Sequence, residues 1–396
     1  MKKINLMRTR IGVAVVAAAL AGQCILPATT HAATTTQSVF VPGYSYPERW
    51  PGGNNSYWEA IRGAGAAKVP FVVVNPNSGP GASVNADYTG ELADLDAKGV
   101  KYIGYVKHNK QQRDIKEVAA EIDRWYQLYP GIKGMFFDET HNESNPVQTC
   151  YIANLYNYMK VKHPGSIVVH NPGTRLRNES IVPYGDVFMV AETSASEYIN
   201  NPYLDMNHPD AQPFEKDPAN APKIWHAVHD ITSVAEQDQV LELAKQRNAG
   251  WVYFTSDSLT TGDSNPYNNL SVYFTEFVNK ASAMPPTTLQ IGTPVPLPAG
   301  CDDVFKLNVT AQNPPAITPS NPTAPGTGSP VNPVVQVQAT ADGDAASAAV
   351  QSGGVTTPNT GHQRQTVWYT VMFAVMGIVL AIVGWLARRA MSVKRR

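Results

Sequence analysis

Net charge and cysteine are both scarce in this chain. Lys+Arg (31) nearly balances Asp+Glu (32) over 396 residues. No basic stripe runs among the aromatic residues, which argues against nucleic acid as a partner. The three cysteines say little about architecture. Cys24 lies in an N-terminal segment that is expected to be removed, and Gln23 before it fits a lipoprotein cleavage site poorly. Cys150 and Cys301 could pair in an oxidising compartment, but nothing in the sequence shows that they meet. No glycine-rich phosphate fingerprint follows the first expected strand, which weakens the case for a doubly wound open sheet. Closely spaced metal ligands on one face are also missing: His226 and His229 point to opposite sides of a strand, and His170 stands apart. No metal and no cofactor are expected.

The two ends of the chain have compositions unlike a globular core. Residues 1–32 read as a secretory signal, with Lys2, Lys3, Arg8 and Arg10 before an apolar run and Thr30-His31-Ala32 at a cleavage site. Asn313–Thr360 has no aromatic residue and no Lys or Arg. It cannot bury enough apolar area to offset its chain entropy, and its prolines make residues 313–356 an extended, disordered stalk. Val367–Ala387 is an uncharged run of 21 residues, long enough to be one transmembrane helix. The basic tail at 388–396 is then cytoplasmic. This leaves one large domain over 33–284, and an extension over 285–312 that is either a strap packed on the domain or a small β unit.

Eight short apolar runs recur within that domain, each followed by polar residues and then by a helical pattern. They are Ser38–Tyr44, Val69–Asn75, Tyr102–Lys107, Gly134–Asp138, Ile167–Asn171, Val187–Glu192, Ile224–His229 and Trp251–Thr255. Ser56-x-x-Glu59, Asp114-x-x-Glu117 and Ser233-x-x-Glu236 read as capping boxes that open three of the helices. Near-continuous apolar strands alternating with helices predict an α/β fold, a (β/α)8 TIM barrel, with a doubly wound sheet as the alternative.

In such a barrel the strand ends share one face, where active sites lie. That rim collects aromatic rings, amides and three carboxylates, a set suited to a sugar with apolar C–H faces and many hydroxyls. Asp138 and Glu192 end the fourth and sixth strands, and glycoside hydrolysis needs two carboxyl groups across the scissile bond. Glu139 follows Asp138, and strict alternation would separate the two side chains unless one sits on a bend. These acids could equally start helices, where Asp and Glu are common. Tyr44, Asn75, Tyr105, Asn171, Trp225 and Tyr253 are the candidate substrate contacts. The aromatic candidates among them could instead fill the barrel interior. Trp125, Tyr126 and Tyr129 sit on one helix face and read as core.

Several segments carry a family resemblance. These are Phe71-Val-Val-Val-Asn-Pro-Asn-Ser-Gly-Pro-Gly81, Gly104-Tyr-Val106, Gly134-Met-Phe-Phe-Asp-Glu139, His170-Asn-Pro-Gly-Thr174 and Val190-Ala-Glu192. In this order they resemble the spherulin-4 (spherulation-specific family 4) proteins, a glycoside-hydrolase-like group, over about residues 41–280. Fungal members cleave α-1,4-linked galactosamine or N-acetylgalactosamine polymers. The resemblance therefore implies a barrel glycosidase in which Asp138, Glu139 and Glu192 fall on the acidic motif positions. Where many members have Thr after Gly-Tyr-Val, this chain has Lys107-His108. A second resemblance is C-terminal: Thr357-Pro-Asn-Thr-Gly361, the apolar span and the basic tail look like a sortase cell-wall sorting signal, with Thr in place of the usual Leu. It implies a sortase and peptidoglycan as partners, or otherwise a single-span membrane protein.

Two expectations follow. One is a surface-anchored retaining endo-glycosidase acting on an amino-sugar polysaccharide, with Asp138 as nucleophile, Glu192 as general acid/base and Glu139 orienting the sugar. The other is a catalytically silent glycan-binding or adhesion domain on a stalk.

Overall fold

The computed structural model describes residues 33–259 and 265–301. The export signal, the stalk, the sorting-like motif, the membrane span, the basic tail and the 302–312 part of the extension lie outside the described residues. Within the described residues no helix is long and apolar enough to cross a membrane.

Eight parallel strands close into a barrel in sequence order: β1 (Ser38–Gly43), β2 (Phe71–Val74), β3 (Lys101–Lys107), β4 (Gly134–Asp138), β5 (Ile167–His170), β6 (Val187–Ser194), β7 (Ile224–His229) and β8 (Trp251–Phe254). β8 pairs with β1 to complete the ring. All eight expected runs are strands; Gly134–Asp138 and Ile224–His229 match end to end, and the others shift by one or two residues. The helices are α1 (Ser56–Ala64), α2 (Ala86–Ala97), α3 (Ile115–Leu128), α4 (Pro146–Lys162), α5 (Ala195–Asn200), α6 (Pro213–Lys216), α7 (Val234–Gln246) and α8 (Phe274–Ala281).

The helices follow local chemistry. α3 buries Ile115, Val118, Ile122 and Trp125 on one stripe, and the Asp114 carboxylate accepts from the Lys116 N–H at its start. Each such buried side chain contributes about 1.5–3 kcal/mol. Trp125 also fixes the strand beneath it: its indole N–H donates to the Tyr105 carbonyl at 2.9 Å. A Cβ on Gly104 would lie 2.6 Å from the Trp125 ring, so only glycine fits there. Ser233 caps α7 through the Glu236 N–H, while the Glu236 carboxylate turns back to the Thr232 N–H at 2.6 Å. The capping box expected at Ser56 does not form. Asn54 Oδ1 accepts from the Ser56 N–H, which starts the turn early, so Ser56 is the first helical residue and Asn55 takes the cap position without a side-chain bond.

Aromatic residues fill the barrel in layers. Near its N-terminal end Phe40 stacks on Trp225 at 4.4 Å, with Phe71 at 5.3 Å and Trp251 at 5.8 Å. Above them sit Tyr105 and Tyr253, both fully buried. The inner layers are thus a packed core, as expected of this fold.

Residues 285–301 run as an irregular strap along the outside of the barrel. Thr287 N–H donates to Ser38 Oγ, and Gly292 N–H to Asp186. Asn157 makes paired bonds with the Val295 backbone. A disulfide joins Cys301 at the end of the strap to Cys150 on α4, with Cα atoms 5.1 Å apart.

Candidate active site

The site lies at the C-terminal mouth of the barrel and is built from five strand ends and one loop. Asp138, the last residue of β4, pairs in register with Lys107, the last residue of β3. Glu192 reaches the same space because of an irregularity in β6. Met189 pairs with Trp225 and Glu192 with Ala227, and the register shifts between Met189 and Ala191. Trp225 and Ala227 share the inner face of β7. Strict alternation from Met189 would turn Glu192 outward; the bulge at Val190 returns it to the interior.

Asn171, just past β5, connects the two carboxylates. Its Nδ2 donates to Asp138 Oδ1 at 2.9 Å and to Glu192 Oε2 at 3.0 Å. The two accepting oxygens are therefore no more than about 6 Å apart, close to the spacing of about 5–5.5 Å that lets one carboxylate act as nucleophile. Asp138 Oδ2 accepts from the Tyr105 hydroxyl at 2.6 Å. Glu192 Oε1 accepts from the Tyr267 hydroxyl at 2.9 Å. Asn171 Oδ1 is buried and accepts no hydrogen bond from the protein. Gly173 takes φ +67°, a backbone conformation that favours glycine, beside Glu192.

Burial sets the charge state of this pair. Glu192 is pushed up to about 7, first by desolvation and then by the neighbouring Asp138 charge, against the opposing pull of the Asn171 and Tyr267 bonds. Asp138 is also raised by burial, but Tyr105, the Glu139 backbone N–H and Asn171 all stabilise its anion. Among the described residues neither carboxyl group has a cationic nitrogen within ion-pair distance, so the two share the site as one proton-holding and one ionised group. The tyrosines around them stay protonated. Burial and the adjacent carboxylates hold the Tyr44, Tyr105 and Tyr267 hydroxyls well above the usual phenol range.

Glu139 occupies the expected bend, at φ +57°. Its carboxylate faces the Lys107 ammonium at 3.0 Å. Both lie at the edge of the mouth, next to Asp138.

The structure brings together Asp138, Glu192, Asn171, Tyr105 and Tyr44, with Glu139 at the edge. Tyr44 is half-buried, and its ring stands edge-on to Tyr105 at 5.7 Å and to Tyr267 at 5.9 Å. Three assignments need correction. Trp225 is the second residue of β7, is fully buried and stacks on Phe40, so no sugar reaches it. Tyr253 is likewise enclosed, with its ring 5.9 Å from Tyr267. Tyr105 is no stacking platform; it is a buried hydroxyl donor to Asp138. Asn75 uses its Oδ1 to hold the Gly79 N–H and shape the loop after β2. Tyr267, in the loop between β8 and α8, was missed because an Asn-Pro-Tyr segment outside any periodic pattern carries no signal of its own.

The histidines near the rim are core groups. His170 lies between the Phe137 and Phe188 rings, and its Nε2 meets the Tyr184 carbonyl at 2.9 Å. Burial pushes it down to about 4. Burial pushes His226 down to about 3, and the Tyr198 hydroxyl contacts its Nδ1 at 2.7 Å. Among the described residues no group of three or more His, Cys, Asp or Glu side chains is placed to hold a metal ion.

The site is therefore a closed parallel barrel with two neighbouring buried carboxyl groups at its mouth. The chain belongs to the spherulation-specific family 4, Spherulin4, which it matches over residues 38–281. It is 31% identical to Spherulin-4 of Physarum polycephalum over 173 residues, 43% of this chain and 49% of that protein. The chain thus spans about half the length of the curated relative it matches. The fold also matches the crystal structure of Aspergillus clavatus Sph3 in complex with GalNAc, with a TM-score of 0.51 and 23% identity, over 64% of this chain and 100% of that one.

Proposed function

We propose that the protein is a retaining, endo-acting glycoside hydrolase of an extracellular amino-sugar polysaccharide, of the α-1,4-linked galactosamine or N-acetylgalactosamine type. The observation that carries this reading is the Asn171 bridge, which holds Asp138 and Glu192 within one amide of each other. Asp138, with three donors on its anion, is the nucleophile. Glu192, pushed up to about 7, keeps its proton near neutrality and delivers it to the leaving oxygen. In the second half-reaction Glu192 takes a proton from water, which attacks the sugar carbon and releases Asp138. Asn171 Oδ1, free of a protein donor, accepts from a sugar hydroxyl or amide N–H. Glu139 and Lys107 orient the sugar at the edge of the mouth. The GalNAc bound to Sph3 supports the amino-sugar class through the shared family and fold. No cofactor takes part.

The same proposal covers the ends of the chain. The signal, the Pro-rich stalk, the Thr357–Gly361 motif and the apolar span favour display on a Gram-positive-type surface, through a sortase and peptidoglycan or through the membrane span itself.

Reducing-end release from galactosamine, N-acetylgalactosamine and glucosamine polymers, by the wild-type protein beside Asp138→Asn, tests the activity. Release from a galactosamine-type polymer that is lost in the variant is the expected result. Binding without release from any polymer would favour the silent adhesion domain instead.

A further inference from the structure

Large apolar side chains are exposed in an uneven pattern. Among the described residues six stand out: Tyr46, Trp50, Val84, Val147, Val272 and Ile291. All but Ile291 lie in the loops and first helical turns that follow strand C-terminal ends, on the same face as Asp138 and Glu192. Tyr46 and Trp50 are 40% and 49% exposed, and both belong to the loop between β1 and α1.

That loop is held rigidly. The Tyr46 hydroxyl donates to Asp87 at 2.9 Å and accepts from Asn85 Nδ2 at 2.9 Å. The Tyr46 ring stands edge-on to buried Tyr88 at 5.5 Å and lies 6.1 Å from the Trp50 ring. Arg49 is clamped between Glu91 and Asp94, and the Trp50 carbonyl closes a turn with the Gly53 N–H. The Tyr46 ring is thus fixed in the open, with the exposed Trp50 ring 6.1 Å from it on the same braced loop. Tyr44, two residues before Tyr46 on the same loop, lines the carboxylate site.

We propose that Tyr46 and Trp50 form a second glycan-binding platform, an outlying subsite for a polymer whose scissile bond lies at Asp138 and Glu192. The proposal rests on the glycan reading given above. The Tyr46 ring, fixed in advance, loses little conformational freedom on binding, and both rings offer an apolar face to the C–H face of a sugar while their edges stay hydrated. Continuity with the carboxylate site, along one loop from Tyr44, selects a glycan chain as occupant. A platform outside the carboxylate site serves a long chain and leaves a short one unaffected.

The test combines kinetics with retention of the full chain in gels containing each amino-sugar polymer, the retention being measured in the Asp138→Asn background. Trp50→Ala should raise KM for the polymer about tenfold, leave kcat/KM on a short oligosaccharide unchanged, and reduce gel retention. Trp50→Phe should restore most of both, and the melting temperature should not move. Unchanged KM and retention in Trp50→Ala would overturn the platform, as would failure of every polymer to retain the parent protein. Retention that falls in Trp50→Ala, in a protein that cleaves no polymer, would support the platform and overturn the hydrolase reading instead.

Discussion

Strand β6 has a buried acid at each end, and the two live in opposite electrostatic settings. Asp186, just before its first residue, accepts from the Lys160 ammonium at 2.6 Å, the Val168 N–H at 2.7 Å and the Gly292 N–H at 2.8 Å. Every demand of that carboxylate is met, and the cluster ties α4, β5 and the strap to the barrel. Glu192, near the other end, has two neutral donors and a second carboxylate for a neighbour. The fold compensates the charge at one end and leaves it uncompensated at the other. That difference separates an acid that holds the barrel together from one that can release and recover a proton. It also follows the division of this fold into a stabilising N-terminal face and a chemical C-terminal face.

The largest effect should come from breaking the uncompensated end. Asp138→Asn and Glu192→Gln should each lower turnover on the order of 10³-fold, as loss of a nucleophile or of a positioned acid does, without unfolding the protein. Glu192→Gln should even raise the melting temperature at pH 8. A carboxyl whose folded-state value is raised to about 7 contributes stability that is full below its unfolded value and lost as pH rises through about 7. The amide removes that loss. A melting temperature that fell equally at pH 5 and pH 8 would place Glu192 in the same structural class as Asp186.

Breaking the compensated end should do the reverse. Lys160→Met leaves Asp186 buried without its cation, at a cost of about 3–5 kcal/mol. Calorimetry should show a melting temperature lower by about 10 °C, with kcat per folded molecule unchanged. A large loss of kcat with intact stability would erase the contrast.

The pH dependence sharpens it further. With Asp138 required as the anion and Glu192 as the acid, kcat/KM should fall about tenfold per pH unit above about 7, as Glu192 loses its proton. A plateau extending to pH 9 would remove Glu192 as the acid. The smallest effect belongs to the edge of the mouth. Lys107 is about a third exposed, and a pair in that setting is worth at most about 1 kcal/mol. Lys107→Ala should lower kcat/KM about threefold; a hundredfold loss would move Lys107 into the reacting centre.

Much of this organisation was legible in the sequence because parallel barrel strands are buried on both faces and read as apolar runs. Their last residues could then be gathered at one mouth. Asp138, Glu192 and Asn171 emerged that way. Trp225 and Tyr253 were misplaced because chemistry at a strand was read without its height in the barrel. Trp225 is the second residue of β7, too near the N-terminal end to reach the mouth. The Val190 bulge, which decides where Glu192 points, depends on pairing with β7 and leaves no trace in composition. Nothing in the sequence singles out Lys160, and only its tertiary partner Asp186 gives it a role. Tyr267 depends in the same way on a loop folding over the mouth.

The most direct measurement is proton NMR of the reducing end first released from an α-1,4-linked N-acetylgalactosamine polymer, recorded before mutarotation. Two carboxyl groups joined by the single amide of Asn171 should act through a covalent intermediate on Asp138, so the α-anomer should appear first. A β-anomer appearing first would mean that water attacks directly, and would contradict the assignment of Asp138 as nucleophile.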